Sequence, residues 1–401
     1  MNTKKHFIKT LLIAAAVAAV VFIFACTGGN KEGGTTGGKS NAAQKLLESV
    51  PFTQEGLVSM VKSSGELTET EYEALILAYS KCKINQETLK LEENPVHKAR
   101  SVVRDTHKNP SGEIVNAVQK RLLNHESPLV RGFIVEGVQS LFGVNKENVQ
   151  AVLDMLKNEK DLYVINSGIN ALSNEMKDDG VAAFIFAQAK NENSAIRTSA
   201  AKAIGNSWSA GVSGATEAII ALINDKDQNV RGSACAGSGK LGDERVIAEL
   251  VKVLDNPAEA EIHNKCISGL CTLWFDYPFH EKTSKAAYDA TLNYLKKTPR
   301  TKDVPSWTTV GSFKTFNEDK LPEWEKKATY FNRSEIVAVM SSIAADADAN
   351  WLGRKSAVEA IAQYGTKADL EKLQKTVETN TGDDNQSHVL NKIKEKLEKN
   401  K

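Results

Sequence analysis

The densest group of metal-binding residue types in the chain is His263, Cys266 and Cys271, with His280 nearby. Imidazole and thiolate are the ligands that zinc prefers, and a closed zinc site needs four of them. On a helix, Cys266 follows His263 by one turn, whereas Cys271 lies on a different side. The spacing favours small thiols packed between helices. We therefore predict no metal and no other cofactor.

A second candidate site is the glycine-rich segment 237–242, which fits the pattern G-x-G-x-x-G. A dinucleotide-binding fingerprint must follow a strand and open a helix, and a phosphate-binding loop needs Ser or Thr after its lysine. Here Leu241 follows Lys240, and Ala234 stands where that loop requires glycine. We interpret the segment as the end of a helix.

The sequence contains neither G-x-S-x-G nor H-E-x-x-H, and spacing alone assembles no Ser/His/Asp set. We predict that the protein is not an enzyme. The 51 Lys and Arg against 50 Asp and Glu give a net charge of +1. Such a balance argues against nucleic acid as a partner.

The N-terminus reads as an export signal. Lys4, Lys5 and Lys9 precede the apolar run 11–25, which is too short for a bilayer-spanning helix of about 20 residues. The run ends at Cys26, and this junction resembles a bacterial lipoprotein signal. The resemblance implies that residues 1–25 are a signal peptide and that Cys26 carries the lipid, including palmitate.

The lipid would anchor the protein in the bacterial cell envelope, on the outer rather than the inner membrane if two are present. Residues 26–40 then form a tether, because the segment after Cys26 is rich in glycine and lacks apolar side chains. An uncleaved membrane anchor with an incidental cysteine is the alternative.

The body of the chain repeats. A five-residue motif recurs, made of a capping side chain, two variable residues, a β-branched residue and a last position that is often Arg. That last position falls at 131, 165, 197, 231 and 263, at intervals of 34, 32, 34 and 32. In several units a glycine marks the end of the first helix, and the apolar spacing that follows predicts a second helix. One helix pair cannot bury its own apolar face, whereas stacked pairs can. The fold prediction is an all-α solenoid of stacked antiparallel helix pairs.

The segment DQNVRGSACAGSGKLGDERVIAEL, residues 227–250, resembles a HEAT-type repeat of the short kind found in bilin lyases. Weaker units cover 94–275 and part of 346–401. The resemblance implies a protein-binding scaffold. It also implies a structural ladder of Asp and Arg side chains between successive first helices, which maps onto Arg131, Arg197, Asp227, Arg231 and Arg354. Ile165 and His263 interrupt the ladder.

The remaining segments flank the repeats. Residues 41–93 show helical spacing without the repeat signature, and we expect an atypical N-terminal cap. Residues 346–401 are predicted to hold a last repeat and a capping helix. Cys235 and Cys266 lie in corresponding parts of adjacent repeats. Stacked helices are about 8–10 Å apart, so free thiols are favoured over a disulfide between them.

Residues 276–345 form a divergent insert. The stretch 274–331 holds twelve of the chain's 26 Phe, Tyr and Trp residues. One interpretation is a core beneath divergent repeats. The other is a recognition surface, because aromatic and Arg side chains dominate interface energetics. The candidate contact residues are Arg300, Trp307, Phe316 and Trp324.

Taken together, the sequence predicts a non-catalytic HEAT-repeat scaffold, tethered to the membrane through Cys26, that binds another envelope protein. Two alternatives stay open: a carbohydrate-binding module that uses the aromatic insert, and an enzyme related to bilin lyases. The oligomeric state is not predicted.

Overall fold

A computed structural model of the 401-residue chain describes residues 36–107, 110–141, 146–275, 282–297, 321–380 and 382–399. Within these ranges the fold is almost entirely helical, which confirms the predicted all-α solenoid. The N-terminal part contains α1 Thr36–Glu48, α2 Gln54–Ser59, α3 Glu69–Leu77, a 3-10 turn Ala78–Lys81, α4 Pro95–Thr106 and α5 Gly112–Leu122.

Ten helices then follow in pairs. They are α6 Pro128–Leu141, α7 Lys146–Leu156, α8 Leu162–Leu172, α9 Asp179–Gln188, α10 Ser194–Ile204, α11 Ala215–Ile223, α12 Gln228–Ser238, α13 Val246–Leu254, α14 Ala260–Trp274 and α15 Lys285–Lys297. Three 3-10 turns, Ser207–Ser209, Gly239–Leu241 and Pro257–Glu259, lie between them. The C-terminal helices are α16 Leu321–Lys327, α17 Arg333–Ala345, α18 Trp351–Tyr364, α19 Lys367–Glu378 and α20 Gln386–Lys399.

The repeat motif sets where the first helix of each pair begins. Asp161, Asn193 and Asp227 precede α8, α10 and α12, and each side chain accepts from two backbone N–H groups of the first helical turn. Such a cap satisfies donors that have no partner within the helix. The β-branched residue of the motif is buried in every unit: Val130, Val164, Ile196, Val230 and Ile262.

First helices pack on first helices. α6 contacts α8, α10 contacts α12, and α12 contacts α14. The second helices α7, α9, α11 and α13 each pack against the first helix of the next pair. The apolar side chains form two clusters, one in the N-terminal part through α6 and one from α6 to α20. Stacking therefore buries apolar side chains that a single helix pair would leave exposed to solvent.

Two glycines near helix ends have different physical roles. Gly242 has a φ of 71°, the left-handed conformation that favours glycine at a helix end. Gly205 lies in no such conformation. A Cβ atom on Gly205 would collide with the Gly237 backbone, so this glycine allows α10 and α12 to approach closely.

The N-terminal part departs from the predicted helical cap in one respect. Strands β1 Ile84–Asn85 and β2 Lys90–Leu91 pair antiparallel. The Asn85 side chain accepts from the backbone N–H groups of Glu87 and Thr88 and turns the chain back on itself. Helix α1 also begins at Thr36, inside the segment predicted as tether.

Within the described residues, no helix is both long enough and apolar enough to cross a membrane. The predicted signal peptide and Cys26 lie outside the described residues. So do residues 298–320 of the predicted insert, whereas α15, α16 and α17 lie in its described parts.

Candidate functional site

Three arginines of the repeat motif connect one helix pair to the next. The Arg197 guanidinium binds Asp225 through two parallel hydrogen bonds of 2.7 and 2.8 Å. Its remaining nitrogen, Nη1, donates to the carbonyl oxygens of Asn191 and Glu192 in the turn before α10, each at 2.9 Å. Each arginine thus ties its helix to the preceding turn and to the next one.

Arg131 and Arg231 repeat this geometry. Arg131 binds Glu159 at 2.8 and 3.0 Å, and Arg231 binds Glu259. In all three pairs the carboxylate follows the arginine by 28 residues. Burial alone raises the pKa of Asp225, but the guanidinium outweighs it and the net pKa lies below the usual value. A bidentate pair of this kind fixes orientation as well as distance.

The structure corrects the role assigned to Asp227. Its Oδ1 accepts from the N–H groups of Asn229 and Val230, so this residue caps α12. The ladder carboxylate at this junction is Asp225, which also accepts from the N–H of Asp227. The sequence motif therefore marks the cap, whereas Asp225, two residues before it, forms the ion pair with Arg197 of the previous repeat.

His263 takes the arginine position in α14 and makes a similar connection. Its Nε2 lies 3.1 Å from the Val253 carbonyl oxygen and 3.0 Å from that of Asn256. Carbonyl oxygens only accept, so Nε2 donates to them, and Nδ1 lies 2.9 Å from the Tyr294 hydroxyl oxygen. His263 thus connects α14 to the preceding turn and to α15.

Arg354 near the C-terminus is fully buried, unlike the ladder arginines of the central repeats. Its Nη1 lies 2.6 Å from Asp383 Oδ2, and its Nε donates to the Ala344 carbonyl oxygen at 3.0 Å. The pair joins α18 to the segments before it and after α19. Its role in the described structure is to hold the C-terminal helices together.

Trp324 lies in the interior, which corrects its predicted role as a surface contact. Only 5% of it is exposed, its Nε1 donates to the Trp274 carbonyl oxygen at 3.2 Å, and its ring centroid lies 4.7 Å from that of Phe331. The cluster around Trp274 combines rings from α14, α15 and α16 with Phe331. Arg300, Trp307 and Phe316 lie outside the described residues.

The exposed aromatic side chain is one that the sequence analysis missed. Among the described residues, the large apolar side chains that are exposed are Trp208, at 51%, and Leu352, at 38%. Trp208 lies in the 3-10 turn Ser207–Ser209 between α10 and α11. The only sequence signal is a Trp in a Gly/Ser-rich connection, where helical periodicity does not direct it inward.

The turn that carries Trp208 is anchored on both sides. Ser209 is buried, and its hydroxyl donates to the Ala203 carbonyl oxygen at 3.1 Å. Gly211 and Gly214 adopt φ values of 78° and 83° and return the chain to α11. The neighbouring turn Gly239–Leu241 packs against this one. An aromatic ring on a fixed backbone loses less conformational freedom when it binds.

A cleft of about 170 Å³ lies in the N-terminal part. His97, Arg100 and Arg104 line it from one face of α4, and apolar side chains including Leu67 and Leu75 line the opposite side. Tyr72 borders the cleft; burial raises the pKa of its hydroxyl, and the Arg100 charge opposes that rise. The chemistry fits a small anion with an apolar body.

Among the described residues, no three His, Cys, Asp or Glu side chains converge as a metal site would require. His263, Cys266 and Cys271 all lie on α14. His263 is engaged with Tyr294 and two carbonyl oxygens, as described above, and Cys266 faces Cys235. His263 and Cys266 therefore take part in two different packing contacts and do not form one site.

These features define a class of structure, an array of stacked helix pairs linked by side-chain ladders. A sequence model described as HEAT repeats matches residues 182–271, the section from α9 to α14. This section of the chain therefore carries HEAT repeats. No curated protein matches the chain in sequence.

Similar solved structures include an engineered protein that is 15% identical, with a TM-score of 0.40, over 90% of this chain and 88% of that chain. Two crystal structures of Kap121p mutants are each 11% identical over 90% of this chain, with TM-scores of 0.48 and 0.49. This chain spans about two fifths of the Kap121p chains, 41% and 40%.

Proposed function

We propose that the protein is an exported, lipid-tethered scaffold that binds another protein of the bacterial envelope through its HEAT-repeat array. The observation that carries the protein-binding part is Trp208, which is 51% exposed on the anchored turn between α10 and α11 of one repeat. Tryptophan is enriched among residues that dominate binding energy at protein interfaces.

The repeat array supports a binding role rather than catalysis. Its arginines, carboxylates and histidine are engaged in joining helix pairs, and the ordered Trp208 turn needs little rearrangement before binding. As a recognition surface for either kind of partner, the insert loses one of its four candidate residues, because Trp324 is enclosed in the aromatic core. The proposed contact is therefore Trp208 on the repeat array.

Capture from native membranes tests the proposed partner. The full-length tagged chain, its Trp208→Ala variant and a Leu352→Ala control are incubated with detergent-solubilised native envelope. We expect one envelope protein to bind the parent and the control but not Trp208→Ala. Capture by all three chains would reject Trp208 as the contact, and capture by none would reject the scaffold.

The lipid anchor is tested separately. Cells that express the parent or Cys26→Ser are labelled with palmitate and fractionated. We expect label and membrane association for the parent and loss of both for the variant. A Cys26→Ser chain that keeps its label would reject lipidation at this residue and leave the binding experiment unaffected.

A further inference from the structure

Cys235 in α12 and Cys266 in α14 meet at the junction of two successive first helices. Their Sγ atoms are 2.8 Å apart, and both residues are 0% exposed. Even two carbon atoms prefer a separation of about 3.5–4.0 Å, so two unbonded sulfur atoms are crowded here. A disulfide, with sulfurs about 2.04 Å apart, removes the crowding after a movement of less than about 1 Å.

The backbone explains how the two cysteines come so close. A Cβ atom on Gly269 would collide with the Cys235 carbonyl oxygen, and one on Gly239 would collide with the Gly269 carbonyl oxygen. Glycines at these places let α12 and α14 approach more closely than ordinary stacked helices, which lie about 8–10 Å apart. The expectation of free thiols rested on that ordinary separation.

We propose that Cys235 and Cys266 form a disulfide bond that joins the repeat containing α12 to the repeat containing α14. In the reaction, one thiolate attacks a disulfide-bearing oxidant and releases the oxidant's first thiol. The second cysteine then attacks the mixed disulfide and releases the second thiol. The two cysteines lose two protons and two electrons, and the oxidant is reduced to two thiols.

The bond forms before α14 has docked on α12. In the folded chain both sulfurs are buried, and the contact with Cys235 together with burial raises the pKa of Cys266. Because the thiolate is the reacting species, the pair is inert once it is enclosed. Cys82 is a weak competitor, since burial raises its pKa to about 11.

Peptide mapping tests the bond directly and does not depend on the proposed function. The full-length chain is unfolded and refolded in detergent with oxidised and reduced glutathione, quenched with acid, alkylated in denaturant without reductant and digested with trypsin. We expect residues 232–240 and 266–282 to be joined, and to separate on reduction. Recovery of both peptides in alkylated form would overturn the proposal.

Two variants assign the cysteines, because the second peptide contains both Cys266 and Cys271. We expect Cys271→Ser to keep the joined peptides and Cys266→Ser to lose them. The opposite pattern would overturn the assignment to Cys266. If Cys266→Ser does not fold, the peptide map of the Cys271→Ser chain alone tests whether Cys266 forms the bond.

Stability gives an independent readout. We expect reductant to lower the urea midpoint of the parent and to leave that of Cys235→Ala unchanged, because a disulfide restricts the unfolded chain. A parent whose midpoint is insensitive to reductant would contradict the bond.

Discussion

Arg197 is the most enclosed of the three ladder arginines in the central repeats. Its side chain is 6% exposed and that of Asp225 is 12% exposed. Removing one member of such a pair leaves the other as an uncompensated charge, whereas replacing both by apolar side chains is often neutral. Removing one member of the Arg197–Asp225 pair is therefore expected to lower the free energy of unfolding strongly, whatever the intact pair contributes to it.

We expect Arg197→Ala to lower the free energy of unfolding by about 3–5 kcal/mol, measured by urea titration with circular dichroism. The double variant Arg197→Met, Asp225→Leu should recover most of that loss. Arg245→Ala is the surface control: its side chain is 58% exposed, and we expect a much smaller loss than for Arg197→Ala because solvent screens an exposed pair. Equal losses for Arg197→Ala and Arg245→Ala would contradict the enclosed ladder.

Glu71 is a second residue whose charged form is stabilised by the fold. Its carboxylate accepts from the backbone N–H groups of Lys62, Ser63 and Thr68 at 2.7, 3.0 and 2.9 Å. Burial alone raises the pKa of Glu71, but these hydrogen bonds outweigh it and lower the pKa to about 2. A carboxyl group whose pKa is lowered by folding stabilises the folded state at pH values above its unfolded pKa. This stabilisation is lost as the pH falls toward 2.

We expect Glu71→Gln to destabilise the protein by about 2 kcal/mol near neutral pH. The gap between parent and variant should narrow as the pH falls from about 5 to about 2, because the parent loses its advantage on protonation. Urea titrations at a series of pH values measure the gap. A constant gap across this range would show that the charge of Glu71 is not what stabilises the fold.

At the scale of the helices, close approach is set by glycine. Gly269 lies inside α14, where alanine would ordinarily gain about 1 kcal/mol from helix propensity. Instead its Cβ atom would meet the backbone of Cys235. We expect Gly269→Ala to force α12 and α14 apart and to cost about 1–3 kcal/mol.

Gly112 in α5 is the matched control, because a Cβ atom added there meets nothing within 4 Å. We expect Gly112→Ala to leave stability unchanged or slightly higher in the same urea titration. If Gly269→Ala were as stable as Gly112→Ala, the helices would not depend on glycine for their contact.

The helices themselves were readable from the sequence, because caps, β-branched residues and glycines recur at a nearly fixed interval. The contacts between pairs were harder to predict. The ladder partners Glu159, Asp225 and Glu259 lie in turns, outside the helical motif that the prediction used, although each follows its arginine by 28 residues. Only the stacking distance of the folded chain brings each of them to its arginine.

At the scale of the whole molecule, aromatic composition proved ambiguous. The clustering of aromatic residues allowed a core or a recognition surface, and composition does not distinguish the two. Trp324 belongs to the core, whereas Trp208, which stands alone in a polar connection, is exposed. Exposure depends on how neighbouring elements cover a residue, and that became visible only in the folded array.

The measurement that tests the scaffold most directly is site-specific photo-cross-linking in intact cells, with a photoreactive residue at position 208 of the full-length protein and, as a control, at position 352. The account predicts one discrete adduct from position 208, containing a different envelope protein, and no such adduct from position 352. Absence of an adduct at position 208, or the same adducts from both positions, would contradict it.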